Sequence, residues 1–223
     1  AAAAASGHRA VGAFDSGPVL AHAYGFHAAA RPPAVFLGER RAAFAAGKLV
    51  VAFEFEGHRQ QFVHGHTDSV TCLAFTAEQA LGASGQVRRS DSKAAEVLLW
   101  SSETMKVCAV FKFHQADVVA VGFIQGGEVL VTIAADRDHT LALWASAQDG
   151  WYNFRKREKA PLVVSSAYKG GGVHGVLPAP GGPDKPPQFV TFGAAHIKFW
   201  QSDRFSPALE GRRGSFGTQG APR

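Results

Sequence analysis

Three histidines in the first half of the chain, His58, His64 and His66, have the side chains and the close spacing that a metal site needs. His64 and His66 would project from the same face of a strand, because side chains alternate along extended chain. A zinc site takes sulfur, nitrogen or carboxylate ligands in sets of three or four, and no cysteine or carboxylate joins these histidines at ligand spacing. We therefore predict no metal and no other cofactor.

Motifs for hydrolysis and for phosphate binding are missing as well. Serine, histidine and aspartate all occur, but no Gly-x-Ser-x-Gly motif places a nucleophile on a strand-to-helix turn. The Gly170–Gly172 run lacks the Gly-Lys-Ser/Thr ending and the following helix of a phosphate loop. A flexible loop explains this run better, and we predict that the chain has no enzymatic activity.

Positive charge is concentrated after the aromatic segment 151–154, where Arg155, Lys156, Arg157 and Lys159 follow one another closely. Basic residues beside aromatic ones can bind nucleic acid. They can equally protect an exposed strand edge, or contact an acidic protein surface. The net charge of +5 and the pI of about 9.4 are compatible with an acidic partner. These four residues are our candidates for partner binding.

The remaining sequence is punctuated by glycine and proline and carries short apolar runs of strand length. With 46% hydrophobic and 18% charged residues, it has the composition of a globular domain. Two cysteines in apolar runs suit an intracellular protein with small buried thiols. No sustained helical periodicity is present, so the sequence predicts an all-β fold. The predicted strands are 48–55, 70–75, 96–100, 107–113, 118–123, 129–134, 140–144, 189–192 and 197–200.

Three of these runs end in tryptophan, and their spacing indicates a repeat. Trp100 and Trp144 are 44 residues apart, which is the length of one four-stranded propeller blade. Trp200 follows 56 residues later, and the glycine- and proline-rich stretch 170–187 accounts for the extra length. A histidine precedes each of the first two tryptophans by about 30 residues, as in WD repeats.

In such a blade, buried polar side chains satisfy one another in a relay. The relay of the second repeat is predicted to contain His114, Thr132, Asp138 and Trp144. In the first repeat His66, Ser84 and Trp100 are present, and Ala94 stands where the aspartate is expected. In the third repeat Thr191 and Trp200 are present, Ala194 takes the aspartate position, and His196 follows.

Three segments also carry a resemblance to a known family. They are the blade-like stretch 65–100, the segment Thr191–Trp200 with its Gly-x-x-His-Ile-x-Phe-Trp pattern followed by Gly214–Gly217, and the upstream Tyr24-Gly25-Phe26. Together they resemble the echinoderm microtubule-associated-protein-like family over roughly residues 20–217. The upstream segment is similar to the start of the hydrophobic motif that precedes the first propeller of that family.

The resemblance implies a non-enzymatic scaffold that binds microtubules, through tubulin or neighbouring axonemal proteins. It implies a place in the cytoplasm and cytoskeleton, in the axoneme of a cilium or flagellum, with neither nucleic acid nor membrane as partner. It also favours an acidic protein surface as the contact of the basic cluster. The alternative is a WD-repeat adaptor in another complex, such as a substrate receptor of a ubiquitin ligase, because a propeller fold does not fix function.

The predicted architecture is an incomplete WD40-type β-propeller, with about three blades and an upstream strand pair. Closed propellers usually have more blades, so we expect the chain to be a fragment of a larger propeller protein. The predicted division is 1–19 leader, 20–63 hydrophobic-motif-like region with the first strands, 64–104 blade, 105–150 blade, 151–203 blade with a long Gly/Pro loop, and 204–223 start of a next blade or tail.

Overall fold

The structure, a computed structural model, describes residues 19–146, 151, 160–169, 171–180, 188–202 and 208–214. In these ranges the chain forms four antiparallel sheets of four strands each, which we call blades I to IV. Two short 3₁₀ turns, Glu56–His58 and Gln125–Gly127, are the helical elements of the described residues. None of the described helices has the length and apolar character that crossing a membrane requires.

Each blade is a meander in which successive strands are hydrogen-bonded neighbours. Blade I contains β1 Ala34–Leu37, β2 Arg41–Ala46, β3 Leu49–Glu54 and β4 Arg59–Val63. Blade II contains β5 Val70–Phe75, β6 Leu81–Gln86, β7 Glu96–Ser101 and β8 Val107–Lys112. Blade III contains β9 Val118–Ile124, β10 Val129–Ala134, β11 Thr140–Ala145 and β12 Val163–Ser166. Blade IV contains β13 Val173–Pro178, β14 Gln188–Gly193, β15 His196–Ser202 and β16 Leu209–Arg213.

The blades are stacked in chain order: β2 of blade I contacts β5 of blade II, and the first strands of blades II to IV lie side by side. Strand β5 lies against β9, and β9 lies against β13, so these inner strands hold the stack together at one edge. Three clusters of buried apolar residues fill the spaces between successive blades. Each cluster includes a tryptophan from a strand of the later blade: Trp100 between I and II, Trp144 between II and III, and Trp200 between III and IV. The cluster between II and III also contains Trp151.

The upstream region forms a complete blade rather than the predicted strand pair. Strand β2, with the sequence Arg-Ala-Ala-Phe-Ala-Ala, lacks the β-branched residues that favour strands. Ala43 and Ala45 are fully buried in the cluster shared with blade II, where their small side chains fit between the sheets. Gly47, with a φ of +57°, makes the tight turn into β3. Tertiary packing therefore outweighs the helical propensity of the alanines.

Sheets and sequence repeats are offset by one strand. In blades II and III the outer strand follows the tryptophan-bearing strand, so β8 pairs with β7 and β12 pairs with β11. The predicted divisions at 104 and 150 instead assign these strands to the next repeat. Strand β16 likewise pairs with β15 and belongs to blade IV, although the sequence suggested a next blade or a tail there. The sequence repeat runs from its histidine to its tryptophan. The outer strand of each sheet follows the tryptophan, so it falls outside the repeat although it pairs with the tryptophan-bearing strand.

Candidate functional site

Blade II contains a buried chain of four polar side chains. The Trp100 indole Nε1 donates a hydrogen bond to Ser84 Oγ at 3.1 Å, and Ser84 Oγ lies 2.6 Å from His66 Nε2. On the other side of the ring, His66 Nδ1 is 2.8 Å from Gln86 Oε1. An amide oxygen only accepts, so Nδ1 carries the imidazole proton. The Ser84 hydroxyl then donates to Nε2 while it accepts from Trp100, and each polar group has a partner.

Gln86 is the member of this relay that the sequence did not predict. Its amide oxygen also accepts from the backbone N–H of Thr67 at 3.1 Å, and its amide nitrogen donates to Thr67 Oγ1 at 2.8 Å. Gln86 therefore supplies a fourth polar side chain to a relay in which Ala94 stands at the position expected for the aspartate. The sequence offers one clue to this role, which is an amide side chain at the end of a short apolar run. In the structure that run is β6, and all six of its residues are buried.

The relay of blade III is shorter. His114 Nε2 lies 2.7 Å from Thr132 Oγ1, which accepts from Trp144 Nε1 at 3.0 Å. His114 Nδ1 is buried and has no hydrogen-bond partner among the described residues. The predicted fourth member, Asp138, lies elsewhere: its carboxylate pairs with Lys169 at 3.1 Å, and its side chain is 49% exposed. This corrects the prediction, because an exposed ion pair holds the carboxylate away from the ring.

Blade IV takes its histidine from a different element. Thr191 Oγ1 accepts from Trp200 Nε1 at 2.9 Å and lies 2.9 Å from Nε2 of His196. His196 begins β15, at the β14–β15 turn of the same blade, whereas His66 and His114 precede the first strands of their blades. Its ring packs against that of Tyr168 in a tilted arrangement, with 4.3 Å between centroids. The histidine of a relay can thus come either from the segment before the first strand of the blade or from the turn before its third strand.

Strand register explains why these relays have similar geometry at different sequence spacings. In blades II to IV, the residue directly opposite the tryptophan lies two positions before the hydroxyl residue, and therefore on the same face of the sheet. Loop length between the two strands can vary without changing this alignment. The opposed residues are Gly82 for Trp100, Leu130 for Trp144 and Phe189 for Trp200.

Burial keeps the relay histidines neutral. It lowers the pKa of His66 to about 4, against a smaller opposing effect of the Gln86 hydrogen bond. It lowers the pKa of His114 to about 4 as well, partly offset by the charge of Asp136. The pKa of His196 is lowered too, by burial first and then by the charges of Lys198 and Arg213. Neutral, hydrogen-bonded rings are suited to holding strands together rather than to proton transfer.

The cysteines are buried thiols in the spaces between the sheets. Cys72 and Cys108 are both free and buried. Burial raises the pKa of the Cys72 thiol to about 12, so it stays protonated at neutral pH and is a poor nucleophile.

The three clustered histidines do not converge on one point. His58 contacts the ring of Phe53, with 5.9 Å between centroids, and His64 contacts Phe62 at 6.0 Å. His66 is committed to its relay. Over the described part of the chain, no group of three or more histidine, cysteine or acidic side chains could hold a metal ion.

The four candidate partner-binding residues, Arg155, Lys156, Arg157 and Lys159, lie outside the described residues, as does most of the Gly214–Gly217 segment. Trp151, just before the basic cluster, is anchored in the core. Its indole Nε1 donates to the carbonyl oxygen of Gly127 at 2.7 Å, and its ring contacts Phe111. Trp151 therefore contacts both blade II and blade III.

The upstream aromatic segment lies across the outer face of blade I. The Ala23 N–H donates to Gln60 Oε1 at 2.8 Å, and the Phe26 ring meets Phe44 with 5.9 Å between centroids. Tyr24 remains 92% exposed.

Stacked four-stranded meanders with tryptophan–hydroxyl–histidine relays define the chain as an incomplete β-propeller of the WD40 type. A solved structure, the "Crystal Structure of Mitotic Checkpoint Complex", contains a similar propeller, with a TM-score of 0.57 and 17% identity. The alignment covers 78% of this chain and 48% of that one. The predicted propeller fold is confirmed.

The chain is also similar in sequence to curated proteins. The chain is 29% identical over 177 residues to Echinoderm microtubule-associated protein-like 2 of Homo sapiens, and the match covers 75% of this chain. It is 25% identical over 157 residues to Cilia- and flagella-associated protein 52 of Mus musculus, and 70% of this chain is covered. The matches span 25% and 23% of these relatives' lengths, about a quarter. The resemblance inferred from the motifs is confirmed, and no protein-family model matches the chain.

Proposed function

We propose that this chain is part of a non-enzymatic scaffold that binds microtubules, and that it acts in the axoneme of a cilium or flagellum. The similarity to one relative named for microtubules and another named for cilia and flagella, over 70–75% of the chain, carries the proposal. Its partners would be tubulin or neighbouring axonemal proteins, rather than nucleic acid or membrane.

The structure supports a mechanism in which rigid blades present loops to a partner. Each gap between blades is filled by a buried apolar cluster, and three blades are also tied internally by a relay. Such a stack holds its surface loops at fixed separations, so several weak contacts can act together. A polymer with a repeating surface, such as a microtubule, can be bound through several such contacts at once, which raises the overall affinity.

The test is co-sedimentation of the full-length protein with taxol-stabilised microtubules over a series of salt concentrations. Direct contact between basic loops and acidic tubulin predicts pelleting that weakens as salt rises, because salt screens exposed charges. Protein spun without microtubules gives the background from aggregation.

Absence of pelleting at every salt concentration would contradict direct tubulin binding. The propeller fold would stand, and the role would move towards an adaptor that joins other proteins. Pelleting that does not respond to salt would place the contact on apolar surfaces instead of the basic loops.

A further inference from the structure

Two basic side chains lie together at the junction of blades III and IV. Lys198 of β15 and Arg213 of β16 stand directly opposite each other in the strand register, so both project from the same face of blade IV. That face is turned towards blade III, because it also carries Trp200, and the Lys198 ammonium donates to the carbonyl oxygen of Ser166 at 3.1 Å. We call Lys198 and Arg213 the basic pair.

The basic pair forms no ion pair with a carboxylate of the described residues. Glu210 of β16 lies three positions before Arg213, and therefore on the opposite face of the sheet. Asp138, in the β10–β11 turn, pairs with Lys169 instead. Like charges directly opposite each other on neighbouring strands destabilise a sheet, so this arrangement has a cost that no described acidic side chain offsets.

Aromatic rings hold both cations in place. Lys198 Nζ lies over the Trp200 ring, 3.8 Å from its centroid, and the Arg213 guanidinium lies over the Tyr168 ring at 5.4 Å. Gly211, the residue opposite Trp200, leaves room for the lysine side chain, because a Cβ there would collide with it. These contacts position the two charges without neutralising them.

The surroundings of the basic pair are positive as well. The pKa of Lys198 is lowered first by burial and then by the charge of Arg213. The pKa of His196 is lowered by burial, and then by Lys198, Arg213 and His139 in turn. Every charged group that shifts these two pKa values is basic, so an anion that enters this junction meets an attractive field.

The donors of the basic pair fit a group with several oxygens. The Arg213 guanidinium presents a planar fork of N–H groups, and the Lys198 ammonium has two N–H donors besides the one used on Ser166. A phosphoryl group carries three acceptor oxygens and nearly two negative charges, so it can accept from both cations at once. A carboxylate has two oxygens and a single charge, and it would leave part of the repulsion in place.

We propose that the basic pair binds a phosphoryl dianion, as free phosphate or as a phosphate monoester, at the junction of blades III and IV. The anion would bridge the two strands and offset the repulsion between their side chains. This site goes beyond the microtubule proposal and does not depend on it.

The test follows the phosphorus NMR line width of a phosphate probe as the full-length protein is added at about pH 7.5, where a monoester carries nearly two negative charges. The probes are inorganic phosphate and glycerol 2-phosphate, and chloride keeps the ionic strength constant. Acetate is added as the competing carboxylate. The variants are Arg213→Gln and Lys198→Gln. The matched control is Arg212→Gln, because Arg212 is the exposed neighbour that points to the opposite face of β16.

We expect a dissociation constant of about 1 mM for the parent protein. Each variant of the basic pair should weaken binding about tenfold, because it removes a charge-assisted hydrogen bond, and Arg212→Gln should bind like the parent. Lys198→Gln also removes a contact of Trp200, so Arg213→Gln, at an exposed residue, is the decisive variant if the lysine variant does not fold.

The two probes distinguish the sources of the phosphoryl group. Binding of the monoester as tightly as inorganic phosphate supports a phosphoryl group carried on a larger molecule, and much weaker binding of the monoester supports free phosphate.

Three results would overturn the proposal: no broadening of either probe at about 10 mM, equal losses in Arg212→Gln and Arg213→Gln, or displacement of the probe by acetate as readily as by phosphate. Each can occur whether or not the protein pellets with microtubules, so the two proposals fail separately.

Discussion

At the residue scale, one hydroxyl oxygen joins two ring nitrogens in each relay. Ser84, Thr132 and Thr191 each accept from a tryptophan and bond to a histidine. The sequence predicted these hydroxyl and tryptophan residues, because a histidine, a strand with Ser or Thr and a tryptophan recur at the length of a blade. It missed Gln86 and misplaced Asp138, because both depend on which side chain reaches the second ring nitrogen in three dimensions.

The corrected relay predicts different costs for two substitutions. Gln86→Leu leaves the buried His66 Nδ1 without its partner and removes the acceptor of the Thr67 N–H, so we expect a loss of about 1–3 kcal/mol in the free energy of unfolding. Asp138→Asn weakens an exposed ion pair with Lys169 and should cost less than about 0.5 kcal/mol. Urea denaturation of both variants measures this difference. A larger loss for Asp138→Asn than for Gln86→Leu would contradict the correction and favour Asp138 as a member of the relay in blade III.

The neutral histidines also predict a pH dependence of stability. The unfolded chain protonates these rings near pH 6.5, whereas His66 and His114 in the fold stay neutral down to about pH 4. Protonation therefore favours unfolding, and stability present above pH 6.5 is lost as the pH falls towards 4. Between pH 6.5 and 5, each histidine should account for about 2 kcal/mol.

Urea midpoints measured at several pH values over this window test the prediction. His114→Asn should flatten the profile, because one of the histidines with a lowered pKa is gone, even though the variant itself is less stable. The control, His58→Asn, changes an exposed histidine and should leave the slope as it was. An unchanged slope in His114→Asn would show that burial of this ring does not control its titration.

At the scale of elements, the predicted runs account for nine of the sixteen strands of the described residues, and β1, β2, β4, β6, β12, β13 and β16 are not among them. The nine predicted runs coincide with strands to within one or two residues at each end. Strands β2 and β16 were missed for opposite reasons. The first is rich in alanine and is made a strand by its burial against blade II. The second is polar and almost fully exposed, and it is a strand because β15 offers its edge.

Packing between neighbouring strands predicts a sharp cost at Gly82. A Cβ there would lie 2.6 and 2.7 Å from Cη2 and Cε2 of the Trp100 ring, which is fully buried and cannot move aside. We expect Gly82→Ala to lose about 1–3 kcal/mol of stability, because it overfills the core. It should also shift the tryptophan fluorescence by displacing the ring from Ser84.

The matched control is Gly172→Ala, where the added Cβ would meet His174 at an ordinary distance of 3.5 Å. Its effect should be within about 0.5 kcal/mol. Equal stability of the two alanine variants would mean that the tryptophan can relax, and that the register opposite Trp100 does not require glycine.

At the scale of the whole molecule, the blades are linked in series, each packed on the one before it. Every gap holds a tryptophan from the later blade, so a repeat that can be recognised in the sequence is also the unit that packs. This is why the fold could be predicted from three tryptophans and their spacing. The binding surface could not, because loops on a propeller do not share a pattern that packing imposes.

The final prediction concerns the basic cluster and tests the microtubule proposal directly. Reversal of Arg155, Lys156 and Arg157 to glutamate changes the charge by six, and it should weaken pelleting and reduce its salt dependence. The control reverses three exposed charges on described loops and strand ends, Lys48, Lys106 and Arg137, and alters the net charge by the same amount. If the cluster is the contact, the first variant loses far more microtubule binding than the control. Equal losses would mean that overall charge alone attracts the protein to tubulin, and unchanged pelleting of the first variant would exclude the cluster as the contact.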